Sequence, residues 1–163
     1  MFLPIKSHRI TLNLISHKHG PGLYNILNEF KVAQYNDYKI PLSKTDIKLL
    51  IQGDIEGNYE GKTIRAAIEH NTNGELIGTC GLYKIQANSA YIGFELTPHF
   101  WHQGYMSETL KEFIPAAIHY LNLKTIYAKV SKFNNQSEQL LLKHGFKIQK
   151  SDNTYNIYQL FNR

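Results

Sequence analysis

The middle of the chain carries three consecutive segments whose apolar residues recur at every second position, and this pattern most constrains the fold. The segments are Ile64–Glu69, Leu76–Tyr83 and Ser89–Thr97, and the sequence Asn71-Thr72-Asn73-Gly74 separates the first two. A period of two residues is typical of strands, and a short turn rich in Asn and Gly joins antiparallel neighbours. The sequence therefore predicts a three-stranded antiparallel meander.

Segments on both sides of the meander alternate between the strand and the helix period. We expect further strands at Ile10–Leu14, Thr125–Val130, Lys147–Lys150 and Tyr155–Phe161, and helices at Leu23–Phe30, from Ser43 to Gly53 or Gly57, Gly104–Leu121 and Asn134–His144. Pro115 is expected to kink the third of these helices or to disturb its hydrogen bonding. The order predicts one domain over residues 1–163 in the α/β class with mixed α+β character: a central mixed, mostly antiparallel twisted sheet of about seven strands flanked by about four helices.

Composition and charge exclude several classes of function. The single cysteine, Cys80, rules out an intramolecular disulfide and a zinc site built on paired thiolates. The formal net charge is +5, but the basic residues are scattered in ones and twos, so we expect no nucleic-acid partner, although one phosphate-rich ligand remains compatible. The pairs His17-x-His19 and His99-x-x-His102 lack an evident third ligand, so no metal site is expected. Without a signal-peptide pattern or a long apolar run, the expected location is the cytoplasm, with no membrane partner.

The stretch Tyr91–Glu108 reads as a strand, a turn containing Gly104, and the start of a helix. The first N–H groups of a helix lack backbone partners and carry partial positive charge, and a glycine lets a ligand approach the backbone closely. The turn can therefore hold a phosphate, although many such turns bind nothing. A second helix begins near Asn134, again after a strand, and ligands of open sheets lie beyond the carboxyl ends of strands.

An ordered set of short motifs then covers nearly the whole chain. They are His8-Arg9-Ile10-Thr11-Leu12, Leu76-Ile77-Gly78 with Gly81-Leu82, Ile92-Gly93-Phe94-Glu95-Leu96, Trp101-His102-Gln103-Gly104-Tyr105-Met106-Ser107-Glu108, and Asn134-x-x-Ser137 before Lys143-x-Gly145-Phe146. In this order they resemble the GNAT superfamily of acetyl-coenzyme-A-dependent N-acetyltransferases. Within it the chain looks most like the RimJ/RimL-type group, the ribosomal-protein alanine/serine N-acetyltransferases.

The resemblance implies acetyl-CoA as cosubstrate and no metal. The residues that it assigns to the cofactor are Leu96, Thr97, His102, Gln103, Gly104, Tyr105, Met106, Ser107 and Asn134. The chain departs from the family's loop at two positions. His102 stands where a glycine is common, and Met106 replaces a small residue and is expected to crowd the first helical turn.

The resemblance also implies direct attack of an amine on the thioester. Glu95 is the expected base, directly or through water, with Glu108 or a water chain as the alternative. Backbone N–H groups around Leu96 are expected to stabilise the oxyanion. Ser137 is expected to serve the leaving thiolate in place of the tyrosine that the family often uses. Cys80 lies in an apolar strand and is expected to be a small buried residue and not an acyl carrier.

The acceptor expected from the resemblance is a primary amine, first of all a protein N-terminus and next a small amine or an antibiotic. A catalytically inactive acyl-CoA-binding regulatory module of the same fold is the alternative from another class. The sequence leaves the choice between monomer and homodimer open.

Overall fold

In the computed structural model, which describes all 163 residues, one eight-stranded sheet runs through the chain. The strands are β1 (Ile5–Lys6), β2 (Ile10–Leu14), β3 (Ile64–His70), β4 (Leu76–Tyr83), β5 (Ser89–Leu96), β6 (Thr125–Ser131), β7 (Lys147–Ser151) and β8 (Tyr155–Phe161). Their spatial order is β1-β2-β3-β4-β5-β6-β8-β7, and every neighbouring pair is antiparallel except β5 with β6. The predicted meander and the mixed, mostly antiparallel sheet are confirmed.

Five α-helices cover the two faces of this sheet: α1 (Gly20–Leu27), α2 (Phe30–Ala33), α3 (Lys44–Tyr59), α4 (Tyr105–Leu121) and α5 (Asn135–Lys143). Short 3-10 turns lie at His17–His19 and Pro98–Phe100. The main core includes Leu110 and Phe113 of α4, Leu141 of α5 and one face of the sheet. A smaller core joins α1 and α3 to the opposite face through Ala67. None of the helices combines the length and apolarity that crossing a membrane requires.

The structure differs from the prediction in the number of strands and helices and in where some helices begin or end. Strand β1 has two residues and helix α2 has four, too few for a periodic pattern in the sequence. Helix α1 begins at Gly20, ahead of the predicted Leu23, because Pro21 fits the first turn, where its missing N–H needs no partner. Helix α3 continues past Gly53 and Gly57 to Tyr59, so its predicted end was wrong.

Helix α4 continues through Pro115 to Leu121. Pro115 is exposed, so water can satisfy the carbonyl group whose helical partner the ring removes.

Candidate active site

A cleft of about 710 Å³ opens where the two halves of the sheet separate. Strands β5 and β6 pair only along Ser89–Tyr91 and Thr125–Tyr127. Beyond this point β5 stays paired with β4 up to Leu96, and β6 stays paired with β8 up to Ser131. Beyond Tyr91 and Tyr127 the strands β5 and β6 therefore no longer pair with each other, which leaves a wedge between them.

The unpaired edge of β5 presents backbone donors to this wedge. The N–H of Thr97 donates to the carbonyl of Ile77 on β4 at 2.8 Å. Because successive N–H groups of a strand point to opposite sides, the N–H groups of Leu96 and Phe94 point into the cleft. The carbonyl of Leu96 accepts a 2.7 Å hydrogen bond from Nε1 of Trp101, which fixes the strand end.

Helix α4 begins at the mouth of the cleft with three free backbone donors. Gly104 adopts φ +80° as the N-cap, and His102 adopts φ +60°. The first helical N–H that bonds back is that of Glu108, to the Gly104 carbonyl at 2.9 Å. The N–H groups of Tyr105, Met106 and Ser107 therefore lack backbone partners, and a 17-residue helix adds its dipole to them. This arrangement fits a phosphate group.

Met106 does not crowd this turn as expected. Its side chain is buried in the main core beneath α4, with 8% of its surface exposed. The Tyr105 ring is also buried, and its hydroxyl group lies 3.0 Å from Nε2 of His70. Both side chains thus pack mainly into the protein interior.

An ion pair fixes the start of α4 to strand β2. Nε of Arg9 donates to Oε1 of Glu108 at 2.7 Å, and the Arg9 backbone N–H donates to Oε2 at 2.9 Å. The same guanidinium donates to the Gln103 carbonyl at 2.9 Å and covers the Tyr105 ring. Burial raises the pKa of Glu108, but the hydrogen bonds from Arg9 outweigh it, so the pKa lies below its usual value. Both carboxylate oxygens of Glu108 accept hydrogen bonds from Arg9, and the residue lies outside the cleft lining, which disfavours it as the alternative base.

Helix α5 forms part of the opposite wall of the cleft. Oδ1 of Asn134 caps this helix by accepting from the Ser137 N–H at 3.2 Å. Ser137 lines the cleft, and its hydroxyl group makes no hydrogen bond to the protein. Ser107 of α4 faces the end of α5, with its Oγ 2.9 Å from Nε2 of His144. Burial, followed by the charge of Lys143, lowers the pKa of His144, so the neutral ring is favoured.

Glu95 lies on the α1/α3 face of the sheet and reaches the same cleft. Its Oε1 accepts from the Thr79 hydroxyl at 2.6 Å and from NH1 of Arg65 at 3.2 Å. No protein group donates to its Oε2. Nε of Arg65 in turn lies 2.8 Å from Oδ2 of Asp54 on α3. Oδ2 of Asp54 is buried and has no hydrogen-bond partner, so this contact is an ion pair without a hydrogen bond.

Most of the residues predicted for the site line this cleft: Glu95, Leu96, His102, Gly104, Tyr105, Met106, Ser107, Asn134 and Ser137. Thr97 and Gln103 do not. The Thr97 N–H is used by β4, and the Gln103 side chain donates to the His99 carbonyl at 2.8 Å. Arg65 also lines the cleft but was not predicted, although it is the one charged residue inside the apolar run Ile64–Ile68.

Cys80 is fully buried in the main core and does not line the cleft. Burial raises the pKa of its thiol far above the usual range, and the charge of Glu95 raises it further. A thiol without access to the cleft and without thiolate character has no place in acyl transfer. No group of three or more His, Cys, Asp or Glu side chains is positioned to hold a metal ion.

Comparison with known proteins places this geometry in a family. The sequence model of one protein family, described as the acetyltransferase (GNAT) domain, matches residues 9–147. The N-acetyltransferase YoaA of Bacillus subtilis, whose function is uncharacterised, is 29% identical over 148 residues, which are 90% of this chain and 84% of YoaA.

Solved structures show the same fold at lower identity. RimL, the ribosomal L7/L12 alpha-N-protein acetyltransferase solved with coenzyme A, superposes with a TM-score of 0.86 at 20% identity over 95% of both chains. The microcin C7 self-immunity acetyltransferase MccE, solved with acetyl-CoA and AMP, gives 0.83 at 21% identity over 96% of this chain and 94% of its own. With a family model that spans most of its length and a fold shared with these enzymes, the chain belongs to the GNAT acetyltransferase family.

Proposed function

We propose that this protein transfers the acetyl group of acetyl-CoA to a primary amine, by direct attack within a ternary complex. The observation that carries the proposal is the wedge between β5 and β6, which is lined by a carboxylate, a free serine hydroxyl and the unpaired N–H groups at the start of α4. These are the groups that amide synthesis from a thioester requires.

The residues present suit acetyl-CoA as a substrate. The free N–H groups of Tyr105, Met106 and Ser107 suit its pyrophosphate, and His102 and Gly104 with positive φ shape the backbone of the turn around an anion. If the Ser107 hydroxyl donates to a phosphate oxygen, it can still accept from Nε2 of His144. Lys129 and Lys143 on the opposite wall add positive charge.

The proposed chemistry uses three groups of this chain. Oε2 of Glu95 takes a proton from the ammonium form of the acceptor, directly or through water, and leaves a neutral amine. The amine nitrogen bonds to the thioester carbon, and the N–H groups of Leu96 and Phe94 stabilise the negative charge that develops on the carbonyl oxygen. The C–S bond then breaks, the Ser137 hydroxyl donates to the departing thiolate, and the attached nitrogen loses its remaining extra proton to water or to the thiolate, which leaves a neutral amide.

A protein N-terminus is the acceptor we put first. A cleft of about 710 Å³ is the size of a site for one small ligand, so an acceptor must reach Glu95 from the open side. Lys31 and Asp37, from α2 and the segment after it, line the same cleft as Glu95 and can contact such an acceptor. RimL, whose name describes alpha-N-protein acetylation, supports this choice, whereas MccE, a self-immunity enzyme solved with AMP, supports a small amine.

A panel assay separates these acceptors and also tests the alternative of an inactive acyl-CoA-binding module. Coenzyme A release from acetyl-CoA is followed with peptides bearing a free α-amine, the same peptides with a blocked N-terminus, and polyamines. We expect turnover with the free peptides alone. Turnover only with polyamines would assign a small-amine enzyme, and calorimetric binding of acetyl-CoA without any turnover would assign a regulatory module.

The catalytic roles are tested by the pH–rate profiles of two variants at saturating acetyl-CoA. Glu95→Gln should lower turnover at neutral pH by a factor of about 100 to 10,000 and recover partly at high pH, where free amine is abundant. Ser137→Ala should lower turnover without that recovery. Neither change should alter coenzyme A affinity by more than about 1.5 kcal/mol, the worth of one hydrogen bond.

A carboxylate outside the site provides the matched control. Glu75 is exposed in the β3–β4 turn, and Glu75→Gln should keep the wild-type profile. If Glu95→Gln also kept it, the base would lie elsewhere, and a silent Ser137→Ala would mean that the thiolate leaves without a side-chain donor.

A further inference from the structure

Behind Glu95 lies a chain of alternating charges that the chemistry above does not use. It crosses three elements, from Glu95 on β5 through Arg65 on β3 to Asp54 on α3. The contact distances are 3.2 Å from Arg65 NH1 to Glu95 Oε1 and 2.8 Å from Arg65 Nε to Asp54 Oδ2. The three side chains are 20%, 25% and 13% exposed, so solvent screens them only in part.

One guanidinium therefore serves two carboxylates. A single positive charge divided between two negative ones leaves each carboxylate less stabilised as an anion than it would be alone with Arg65. Asp54 shows this competition: burial raises its pKa most, the charge of Arg65 opposes the rise, and the charge of Glu95 adds to it.

Other groups around Glu95 are consistent with a shared negative charge. Thr79 of β4 donates to the oxygen that Arg65 also contacts. Burial and then the charge of Glu95 raise the pKa of Tyr38 to about 12, and its neutral hydroxyl group donates to the Leu27 carbonyl. The cleft is also lined by Lys31, Asp37 and Lys129, and none of them makes a hydrogen bond or ion pair with Glu95.

Resting on the proposed role of Glu95 as base, we propose that Arg65 and Asp54 are its positioning residues. Arg65 and Thr79 hold Oε1, so that Oε2 is the oxygen left for the acceptor amine. Asp54 holds Arg65 from the far side and shares its charge, so that the guanidinium is not engaged by Glu95 alone.

The proposal predicts opposite effects from two charge-removing substitutions. In Asp54→Asn the guanidinium of Arg65 pairs with Glu95 alone, so the acidic limb of the kcat/KM profile should move to lower pH. Turnover on the plateau of the profile should also fall, because Glu95 becomes a weaker base. Arg65→Gln leaves two carboxylates without their cation, so the limb should move to higher pH. Each displacement should be about one pH unit or more, as for other close charge pairs. Arg65→Lys keeps the charge and should lie nearer to wild type.

Glu56 provides the matched control. It is exposed on the same helix as Asp54, so Glu56→Gln removes the same charge without touching Arg65, and its limb should stay at the wild-type pH. Thermal melting and coenzyme A titration show that each variant is folded and binds. Should Arg65→Gln fail to fold, Asp54→Asn and Arg65→Lys still decide the outcome.

The two proposals fail in different ways. If Glu95→Gln leaves the acidic limb in place, Glu95 is not the base and the proposed function needs another one. If Glu95→Gln removes the limb, but Asp54→Asn and the Arg65 variants leave it at the wild-type pH, Glu95 is the base and the positioning role is overturned. The positioning role would also be overturned if Asp54→Asn and Arg65→Gln moved the acidic limb in the same direction. The same holds if the control Glu56→Gln moved the limb as well.

Discussion

Gly104 is the residue on which the start of α4 most depends. Its φ of +80° is a conformation that costs an L-residue roughly 1–2 kcal/mol, and a Cβ atom would lie 3.4 Å from NH2 of Arg9. Gly104→Val should therefore displace the turn that presents the free N–H groups. We expect coenzyme A affinity, measured by calorimetric titration, to fall about tenfold or more, and each factor of ten corresponds to about 1.4 kcal/mol.

A second glycine provides a control, because its replacement removes glycine flexibility at a position away from the start of α4. Gly53 lies inside α3 with open space around its α-carbon and no positive φ. Gly53→Ala should stabilise the protein by up to about 1 kcal/mol and leave coenzyme A affinity unchanged. A folded Gly104→Val variant that binds coenzyme A as tightly as wild type would remove the turn from the cofactor site.

Single residues also show which parts of the candidate site could be predicted from the sequence alone. Gly104, Ser137 and Glu95 could be proposed because each stands in a motif with a recognisable order. Arg65 was a visible charge in an apolar strand, but its link to Glu95 depends on the register of β3 with β4 and of β4 with β5. No local pattern sets that register, so the pair became evident only when three strands were placed side by side.

Among the elements, α4 depends on a contact that joins residues 99 positions apart, Arg9 and Glu108. Glu108→Gln should lower the free energy of unfolding at neutral pH by about 1–2 kcal/mol, the range for hydrogen bonds to a charge when a third of the Arg9 side chain is exposed. Because the folded-state pKa of Glu108 lies below its unfolded value, this stability is present above the unfolded value and is lost as pH falls through the folded one. In denaturant titrations the free energies of unfolding of the two proteins should therefore converge only at a pH below the usual range of a glutamate pKa.

Glu112, one turn farther along α4, makes no ion pair or side-chain hydrogen bond and provides the control. Glu112→Gln should change the free energy of unfolding by less than about 0.5 kcal/mol at any pH. A Glu108→Gln variant that stayed as stable as wild type at pH 7 would show that the ion pair does not hold α4 in place.

Elements with a strong period were predictable from the sequence, and their ends were not. The meander and α4 follow from apolar spacing, since strands and helices bury one face. The end of α3 was misplaced because Gly53 and Gly57 weaken a helix by only about 1 kcal/mol each, and packing of Ile47 and Ile51 against the sheet outweighs that loss. The two-residue strand β1 exists only by pairing with β2, and no spacing within it could indicate that.

At the scale of the whole molecule, the cleft divides the sheet into two halves that pair directly along three residues of β5 and β6. The halves are otherwise joined through the main core beneath α4. A ligand in the cleft would contact the start of α4 and β5 on one side and β6 with α5 on the other. Binding should therefore tie the halves together and stabilise the native state.

Coenzyme A is expected to bridge the two halves of the sheet. At a free concentration of 100 times Kd it should add about 2.7 kcal/mol of stability, which for a chain of this size raises Tm by roughly 5–10 °C. Any native-state ligand raises Tm, so hydrogen exchange provides the discriminating measurement. Exchange should slow at the free N–H groups of Tyr105, Met106 and Ser107 and also along Ala128–Ser131, whereas protection of the α4 start alone would contradict bridging.

The chain supplies its own reporter for this experiment. Trp101 is the only tryptophan, lines the cleft and donates to the Leu96 carbonyl, so its fluorescence should change as coenzyme A binds. Trp101→Phe should abolish the optical signal while calorimetry still detects binding, which assigns the signal to the cleft. In Gly104→Val the fluorescence change, the rise in Tm and the slowed exchange on both walls should shift together to higher coenzyme A concentration, because one bound molecule would cause all three.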